Sequence, residues 1–569
     1  MEIREKFDDL RRSELYAGRY VGEDAAMTRN LMGVAWVALA ACGAWGQDAP
    51  AKASCTVQHF LASDANLALA GHQFGKAQDM FLMLLEKNPD SIASRVGLVR
   101  AELGAGKLDE ALELANRYAA QSPDDALIAD VLGEVRFRRG EIADAAAAFN
   151  KSMHADPCLG RVHYDVARYQ KLAGNFLTSQ KQIDLAHRLA PEDQDISAFY
   201  ERAHAKPRSA EDMIVIFTKR LSKEGVDPEE KKRLENRIAT LKAHGNGSCE
   251  ITEPVATATM KLLPELHQNN TFSSVALEVE LNGNRRRLLV DTGASGLVLT
   301  RTAAEKAGLE PEADTRIGGI GDEGAKKGFI AHVDTLRIGG LEFHQCEVEV
   351  TDSKSGEDDG LIGTDVFGQW LVTVDIPVRE LRLAPLPKRP GDNAAAKPMG
   401  LETNGAEGAE ADTVDPHDRY VAPEMEDWSR IYRQGHDIIF PTNVNGMEAK
   451  LFLMDTGAFS GTLAPAVAKQ IGNLVPTDTI IRGLSGQVGE VFTVDKQVTL
   501  DFGHVKQVVR GISVFDMGAI SRGSGFQVTG IIGFTTLREL IISIDYRDNL
   551  VKVVFDPKKG FHGNGRMEY

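Results

Sequence analysis

The sequence predicts a multidomain chain, an all-α solenoid of helical repeats followed by two small all-β barrel lobes. Three observations predict it. Proline returns every 34 residues at Pro89, Pro123, Pro157 and Pro191. The C-terminal half is a succession of short strand patterns separated by turn residues, the signature of small barrels. The triplet Asp-Thr-Gly closes an apolar run twice, at Asp291 and again 164 residues later at Asp455.

At 569 residues the chain is too long for one core, since single cores stop growing at roughly 250 to 300 residues. A formal net charge of -17 favours solubility and argues against a nucleic-acid-binding surface. Leu31 to Ala41 is apolar but too short to span a bilayer, and it suits the core of a signal peptide behind Arg29. Two processing sites are open: cleavage before Gln47, after Ala44-Trp45-Gly46, or a lipoprotein-type box ending at Cys42 as the lipidated residue. Met27 is an alternative start within an N-terminal extension over residues 1–50. Export to a bacterial periplasm or outer membrane is the expected localisation, with membrane anchoring through a lipid if Cys42 is used, and the cytoplasm is the alternative. Cys55, Cys158, Cys249 and Cys346 lack Cys-x-x-Cys spacing and read as isolated buried thiols, although export would permit a disulfide.

The repeats occupy residues 55–200. Ala77, Ala111, Ala145 and Ser179 keep the 34-residue step, as do Gly106, Gly140 and Gly174. Helical patterns such as Ala93 to Leu103 and Leu108 to Ala119 alternate across these glycines, with proline closing each unit. The pattern resembles tetratricopeptide repeats, in which stacked helix pairs bury their apolar faces against their neighbours. The resemblance implies a protein partner or peptide on the array; the plainer reading is a spacer. Tyr164, Tyr169 and Phe176 could line a groove but fit a helical core better, and the array's histidines read as structural. A helical extension follows over residues 203–250, with Pro228 in the first turn of its last helix.

The first β lobe is expected over residues 265–385, with strands near Ser274 to Leu281, Phe329 to Ile338 and Phe343 to Thr351. A Pro/Gly/Ala-rich acidic linker is expected over 386–435, a second lobe over 436–557 with strands that include Val491 to Leu500 and Val508 to Val514, and a tail over 558–569. Each lobe repeats the same order: an Asn-Gly turn (Asn282-Gly283, Asn445-Gly446), the Asp-Thr-Gly turn, a glycine-rich tip, and an apolar pair ending in glycine (Leu361-Ile362-Gly363, Ile531-Ile532-Gly533). Agreement in order and spacing marks an internal duplication. Gly293 and Gly457 permit the tight turn, and Thr292 and Thr456 are expected to fix it by local hydrogen bonds. The tips Gly319-Ile320-Gly321 and Gly483-Leu484-Ser485 suit mobile flaps.

Together these motifs resemble the aspartic proteases of the retroviral-protease and pepsin superfamily. The resemblance implies two acid-protease lobes that bring Asp291 and Asp455 together as a proton-sharing catalytic pair, with no metal or cofactor. It implies hydrolysis of a protein or peptide substrate by an activated water. His332, His344 and His504 have no ligand-like spacing. The family usually carries a hydroxyl two residues after the glycine to bond the catalytic carboxylate. Ser295 meets this, whereas the second loop has Phe459 there and Ser460 one residue late, so that loop is either altered yet working or leaves Asp455 with poorly tuned acidity. The lobes could pair within a monomer or between the chains of a homodimer. The alternative function is a non-catalytic peptide-binding scaffold on the same fold.

Overall fold

The computed structural model describes residues 55–558, apart from 207, 224–225, 246–248, 252–254, 268–270, 322–323, 353–358, 391–416 and 485. The apolar segment, Cys42, both processing sites, the middle of the linker, Ser485 and the tail from 559 therefore lie outside the described residues. No described helix is long and apolar enough to cross a membrane.

The 34-residue punctuation produces helix pairs. Asp64–Ala70 with Phe74–Lys87, Ile92–Gly104 with Leu108–Gln121, Ala126–Arg138 with Ile142–Ala155, and Gly160–Leu172 with Phe176–Leu189 form four units, and Gln194–Ala203 adds a further helix. The turn glycines Gly106, Gly140 and Gly174 all adopt positive φ, the left-handed conformation that ends a helix without a Cβ clash. At the starts, Ser91 accepts from the Ser94 N–H and Asp125 from the Ile128 N–H, satisfying donors with no partner inside the helix. Val131, Val135, Phe149, Val162, Val166 and Ile183 fill the seams between units. Tyr164 and Tyr169 are buried with them, as a core reading expects.

Two features depart from expectation. Cys55 is bonded to Cys158, and Cys249 to Cys346, so the cysteines are two cystines rather than isolated thiols. Pairs about 100 residues apart in sequence have no local spacing to announce them. The array is also not a separate module, because turns of successive units dock on the second lobe. Gln527 N–H donates to the Arg138 carbonyl at 2.8 Å, and Phe137 meets Phe526 edge-on. One unit later, Phe176 N–H donates to the His417 carbonyl, and Thr178 Oγ1 donates to Asp418 at 2.7 Å. In the extension, Pro228–His244 sits on the first lobe, where Arg237 pairs with Glu312 and Thr240 donates to the same carboxylate.

Both β lobes repeat one topology. In the first, Asn284–Asp291 pairs parallel with Gly360–Gly363, placing Gly363 beside Asp291, and Gly360–Gly363 also pairs antiparallel with Leu297–Thr300. In the second, Lys450–Met454 pairs parallel with Gly530–Ile532, which pairs antiparallel with Thr462–Leu463. The apolar-apolar-Gly strand is thus the inner neighbour of the strand that delivers the aspartate. Two expected strands are interrupted: Val491 to Leu500 is Phe492–Val494 and Val498–Phe502, and Val508 to Val514 is Val505–Val509 and Ser513–Val514. Asp495 turns away to accept from the Asn473 backbone, and Gly511 adopts positive φ, so neither run continues as one strand.

A six-stranded sheet joins the lobes inside one chain. Its order is Ser429–Arg430, Leu550–Phe555, Leu540–Asp545, Leu371–Asp375, Glu380–Ala384, Ala258–Lys261. At its centre Leu371–Asp375 of the first lobe pairs antiparallel with Leu540–Asp545 of the second, and the order outward is the same on both sides. The boundaries move accordingly. The first lobe recruits a strand at 258–261, and the end of the expected linker is structured: Ser429–Arg430 and Tyr432–Gln434 are strands of the second half, while Ala422 and Met425 are buried against Leu550. The Pro/Gly/Ala-rich composition that suggested a linker stops short of these apolar residues.

Candidate active site

Each aspartate sits where its strand ends and a glycine turn begins, with only 8% of either residue exposed. The turns interlock across the lobe boundary. Thr292 Oγ1 donates to the Met454 carbonyl at 2.8 Å and accepts from the Thr456 N–H at 3.1 Å. Thr456 Oγ1 returns both bonds, donating to the Val290 carbonyl at 2.8 Å and accepting from the Thr292 N–H at 3.0 Å. The threonines therefore fasten each loop to the opposite one, where sequence reasoning expected local bonds. A short hydroxyl cannot reveal from sequence which backbone lies across an interface.

The glycines set how close the loops come. A Cβ on Gly457 would lie 2.4 Å from Asp291 Oδ2, and one on Gly293 would lie 2.9 Å from Asp455 Cγ. Each aspartate thus occupies the space a side chain on the opposite glycine would need, and the two carboxyl groups hydrogen-bond to each other. Burial pushes the Asp291 carboxyl well above the ordinary carboxylate range, and the neighbouring Asp455 charge pushes it further. Burial also raises Asp455, opposed by the Ala458 and Gly457 N–H groups and by the bond to Asp291. Two carboxyls in contact cannot both ionise comfortably, so this pair retains a proton over a pH range in which separate aspartates lose theirs.

The supporting shell differs from that expected. Ser295 Oγ donates to Asp365 at 2.9 Å, and the Gly296 N–H reaches the same carboxylate at 3.1 Å. Asp365 follows the Leu361-Ile362-Gly363 strand and is itself buried, which raises its pKa. In the second loop Ser460 Oγ lies 3.4 Å from Ser513 Oγ. Phe459 is 43% exposed, and its carbonyl accepts from the Thr535 N–H at 2.9 Å, holding the backbone inward against the apolar-apolar-Gly segment. Asp455 Oδ1 accepts from the N–H groups of Gly457 and Ala458, both at 2.8 Å, so its support comes from backbone rather than from a hydroxyl.

The flap candidates converge. The first flap is the hairpin of Ala313–Ile317 and Lys326–Ile338 with Gly319, Ile320 and Gly321 in its tip, and the second is the small hairpin of Arg482–Gly483 and Gly486–Gln487 around Leu484. Gly319 lies against Leu484, and Gly483 against the Ile320 carbonyl. The tips of the two lobes therefore touch.

Sequence reasoning missed Asp365 and the pair His436-Asp437. The only local signal for Asp365 was a charged residue immediately after an apolar-apolar-Gly-Thr run, without a counterpart in the second copy. His436 lies just beyond Tyr432–Gln434 in a tight turn, and its Nε2 is 3.1 Å from the Gly293 carbonyl and 3.2 Å from Asp437 Oδ1. No group of His, Cys, Asp and Glu among the described residues could hold a metal ion.

Two buried, paired aspartates thus sit on interlocked Asp-Thr-Gly loops, and comparison with known proteins finds domains similar to the parts of this chain. Residues 277–366 match the aspartyl protease family model, and residues 68–135 match a tetratricopeptide repeat model. The chain carries an aspartyl protease domain and tetratricopeptide repeats. Among curated relatives, DNA damage-inducible protein 1 of Neurospora crassa is 28% identical over 195 residues, covering 34% of this chain and 41% of that protein. The UBA domain-containing protein Mud1 of Schizosaccharomyces pombe is 30% identical over 139 residues, covering 24% of this chain and 41% of that one. The chain thus spans about two fifths of the length of these relatives. An aspartic proteinase from Irpex lacteus aligns in structure over 53% of this chain and 98% of its own, at 12% identity and a TM-score of 0.31.

Proposed function

We propose that the protein is an aspartic endopeptidase that hydrolyses peptide bonds with a water activated between Asp291 and Asp455. The observation that carries this reading is the contact between two buried carboxyls, held by reciprocal threonine bonds and flanked by backbone donors. The ionised member takes a proton from water as it attacks the scissile carbonyl, and the protonated member donates to the carbonyl oxygen. Proton return to the leaving nitrogen then resets the pair. Flaps that meet over the cleft serve to exclude bulk water and to bond an extended substrate strand through their backbones. One chain supplies both lobes, so a monomer suffices for the site.

The repeat array is the proposed site for a protein substrate or partner. Its docked turns hold anything bound there at a set position relative to the cleft. Export, with Cys42 lipidated or the leader removed before Gln47, is the proposed localisation, and the two cystines support it because such bonds persist in oxidising compartments.

The test is cleavage of an unfolded protein substrate at mildly acid pH. Asp291→Asn and Asp455→Asn each remove one carboxyl and are expected to lower kcat/KM by at least about a thousandfold while the fold persists. Full activity in either variant would sink the shared-pair mechanism, and tight peptide binding without turnover in the wild type would make the protein a scaffold.

A further inference from the structure

We propose that residues 55–63 are an internal ligand of the helical array, an extended segment whose Gln58 fills a peptide-binding slot on the fourth unit. The Cys55–Cys158 bond latches it there, and reduction of that bond by a dithiol vacates the slot for an extended, glutamine-bearing segment of a partner protein. The inference deepens the partner role proposed for the array, on which it rests, and is independent of the cleavage chemistry. The repeat itself shows that the segment is out of place. Ile92, Ala126 and Gly160, 34 residues apart, open the first helices of the second, third and fourth units, and one step back falls on Gln58. A helix is due there, yet it starts only at Asp64, behind the cap Ser63. In the same register Ser94, Ile128 and Val162 are buried, whereas Phe60 is 39% exposed.

Instead of coiling, the segment crosses to the fourth unit. Gln58 Oε1 accepts from the Gly160 N–H at 3.1 Å and Nε2 donates to the Cys158 carbonyl at 2.9 Å, so both ends of the carboxamide are matched. The Gly160 N–H opens its helix and has no acceptor inside it. The Gln58 N–H donates to the Leu189 carbonyl at 2.6 Å, and Glu192 accepts from the Phe60 N–H at 2.9 Å and faces His59 Nδ1 at 3.0 Å. These partners lie around the starts of Gly160–Leu172 and Gln194–Ala203. Of residues 55–62, Gln58 alone is half-buried and the rest are exposed. The slot therefore reads one carboxamide and a short stretch of extended backbone, which is the chemistry of peptide capture.

The two cystines differ in access. Cys249 and Cys346 are 1% and 0% exposed in the core of the first lobe, whereas Cys55 is exposed and Cys158 half-buried. Exchange needs a thiolate to reach a sulfur, so the latch is open to reduction while the other cystine is shielded. One thiolate of a dithiol attacks a sulfur of Cys55–Cys158, forming a mixed disulfide and expelling the other cysteine as a thiolate. The second thiol of the reagent then displaces the bound cysteine and closes a cyclic disulfide. Both cysteines end as thiols, and the dithiol has given up two electrons. The strap is then held by a few hydrogen bonds at a solvent-facing edge, against chain entropy that the covalent link had removed.

The experiment uses the full chain. Dithiothreitol under native conditions, followed by iodoacetamide and mass spectrometry, should find Cys55 and Cys158 alkylated and Cys249 and Cys346 still joined. Hydrogen exchange of the reduced chain before alkylation should show the Gly160 amide exchanging at least about tenfold faster than in the oxidised chain. The binding probe is a fluorescent synthetic peptide of residues 55–63 carrying Cys55→Ser. It should bind the Cys55→Ser/Gln58→Ala chain, whose own strap has lost both link and carboxamide, with Kd below about 1 mM. Oxidised wild type should bind it at least about tenfold more weakly, because the tethered strap competes at high effective concentration. Alkylation of all four cysteines together, or unchanged Gly160 exchange after the latch is reduced, would overturn the inference and leave the array's partner role untouched. No binding of the probe to the doubly substituted chain, or equal binding of a probe that also carries Gln58→Ala, would overturn it together with peptide capture at this edge of the array.

Discussion

Replacing Thr456 by valine keeps the side chain's size and branching and deletes one hydroxyl from the centre of the lobe interface. That oxygen accepts from the Thr292 N–H at 3.0 Å and donates to the Val290 carbonyl at 2.8 Å, and all three residues are buried. No methyl group can satisfy either partner, so one donor and one acceptor are stranded away from water. At about 1 to 3 kcal/mol for each buried group left unpaired, Thr456→Val is expected to cost about 2 to 6 kcal/mol of unfolding free energy. Thr292→Val removes the mirror-image bonds to Met454 and Thr456 and should cost a similar amount. Denaturant unfolding followed by tryptophan fluorescence measures both, since Trp370 packs in the core that spans the two lobes and Trp428 lies against the cluster around Leu550. A Thr456→Val variant within about 0.5 kcal/mol of wild type would refute the claim that these hydroxyls fasten the lobes, because that is the scatter of an ordinary surface substitution.

The pH dependence of stability follows from the same burial. Asp291, Asp455 and Asp365 all have carboxyls raised above their unfolded values, burial being the main cause in each. The native state therefore binds protons the unfolded chain has released, and this contribution is fully present below the ordinary carboxylate range and lost as pH rises through the folded values. Thermal midpoints measured from acid to neutral pH should fall with this component, and Asp291→Asn should flatten the slope; an unchanged slope would contradict the assignment. Gly106 and Gly140 hold equivalent turn positions with positive φ, but a Cβ on Gly140 would lie 2.7 Å from the Gln527 carbonyl, while one on Gly106 meets open space. Both alanine variants should lose about 1 to 2 kcal/mol from backbone strain. Only Gly140→Ala should also speed proteolysis between array and second lobe, and equal behaviour of the two would show that the docking contact does not matter.

Much of the architecture was legible because it is written in periods. The 34-residue step of proline and glycine marks the helix pairs, since the two helices of successive units are joined by the same left-handed glycine turn whatever their neighbours do. The duplicated Asp-Thr-Gly and apolar-apolar-Gly segments mark two copies of one lobe, because a strand, a tight turn and an inner strand each need particular residues locally. The residues that were missed share the opposite property. His436, Asp437 and Asp365 are single polar residues at turns, and nothing within a few positions of each says what it faces. The cystines joining Cys55 to Cys158 and Cys249 to Cys346 were missed for the same reason, since their partners lie about 100 residues away.

The sequence by itself determined that two aspartates end two buried strands on glycine turns behind a helical repeat array. Only the tertiary structure decided that the lobes close within one chain, that the threonines reach across the interface, and that array and second lobe share a surface. Sequence counted hydroxyls around the two aspartates, whereas folding supplies each of them with backbone N–H donors. Local chemistry follows from residue type and spacing, but the balance of charge in a buried pair depends on donors and charges from several distant segments, which are neighbours only after the chain has folded.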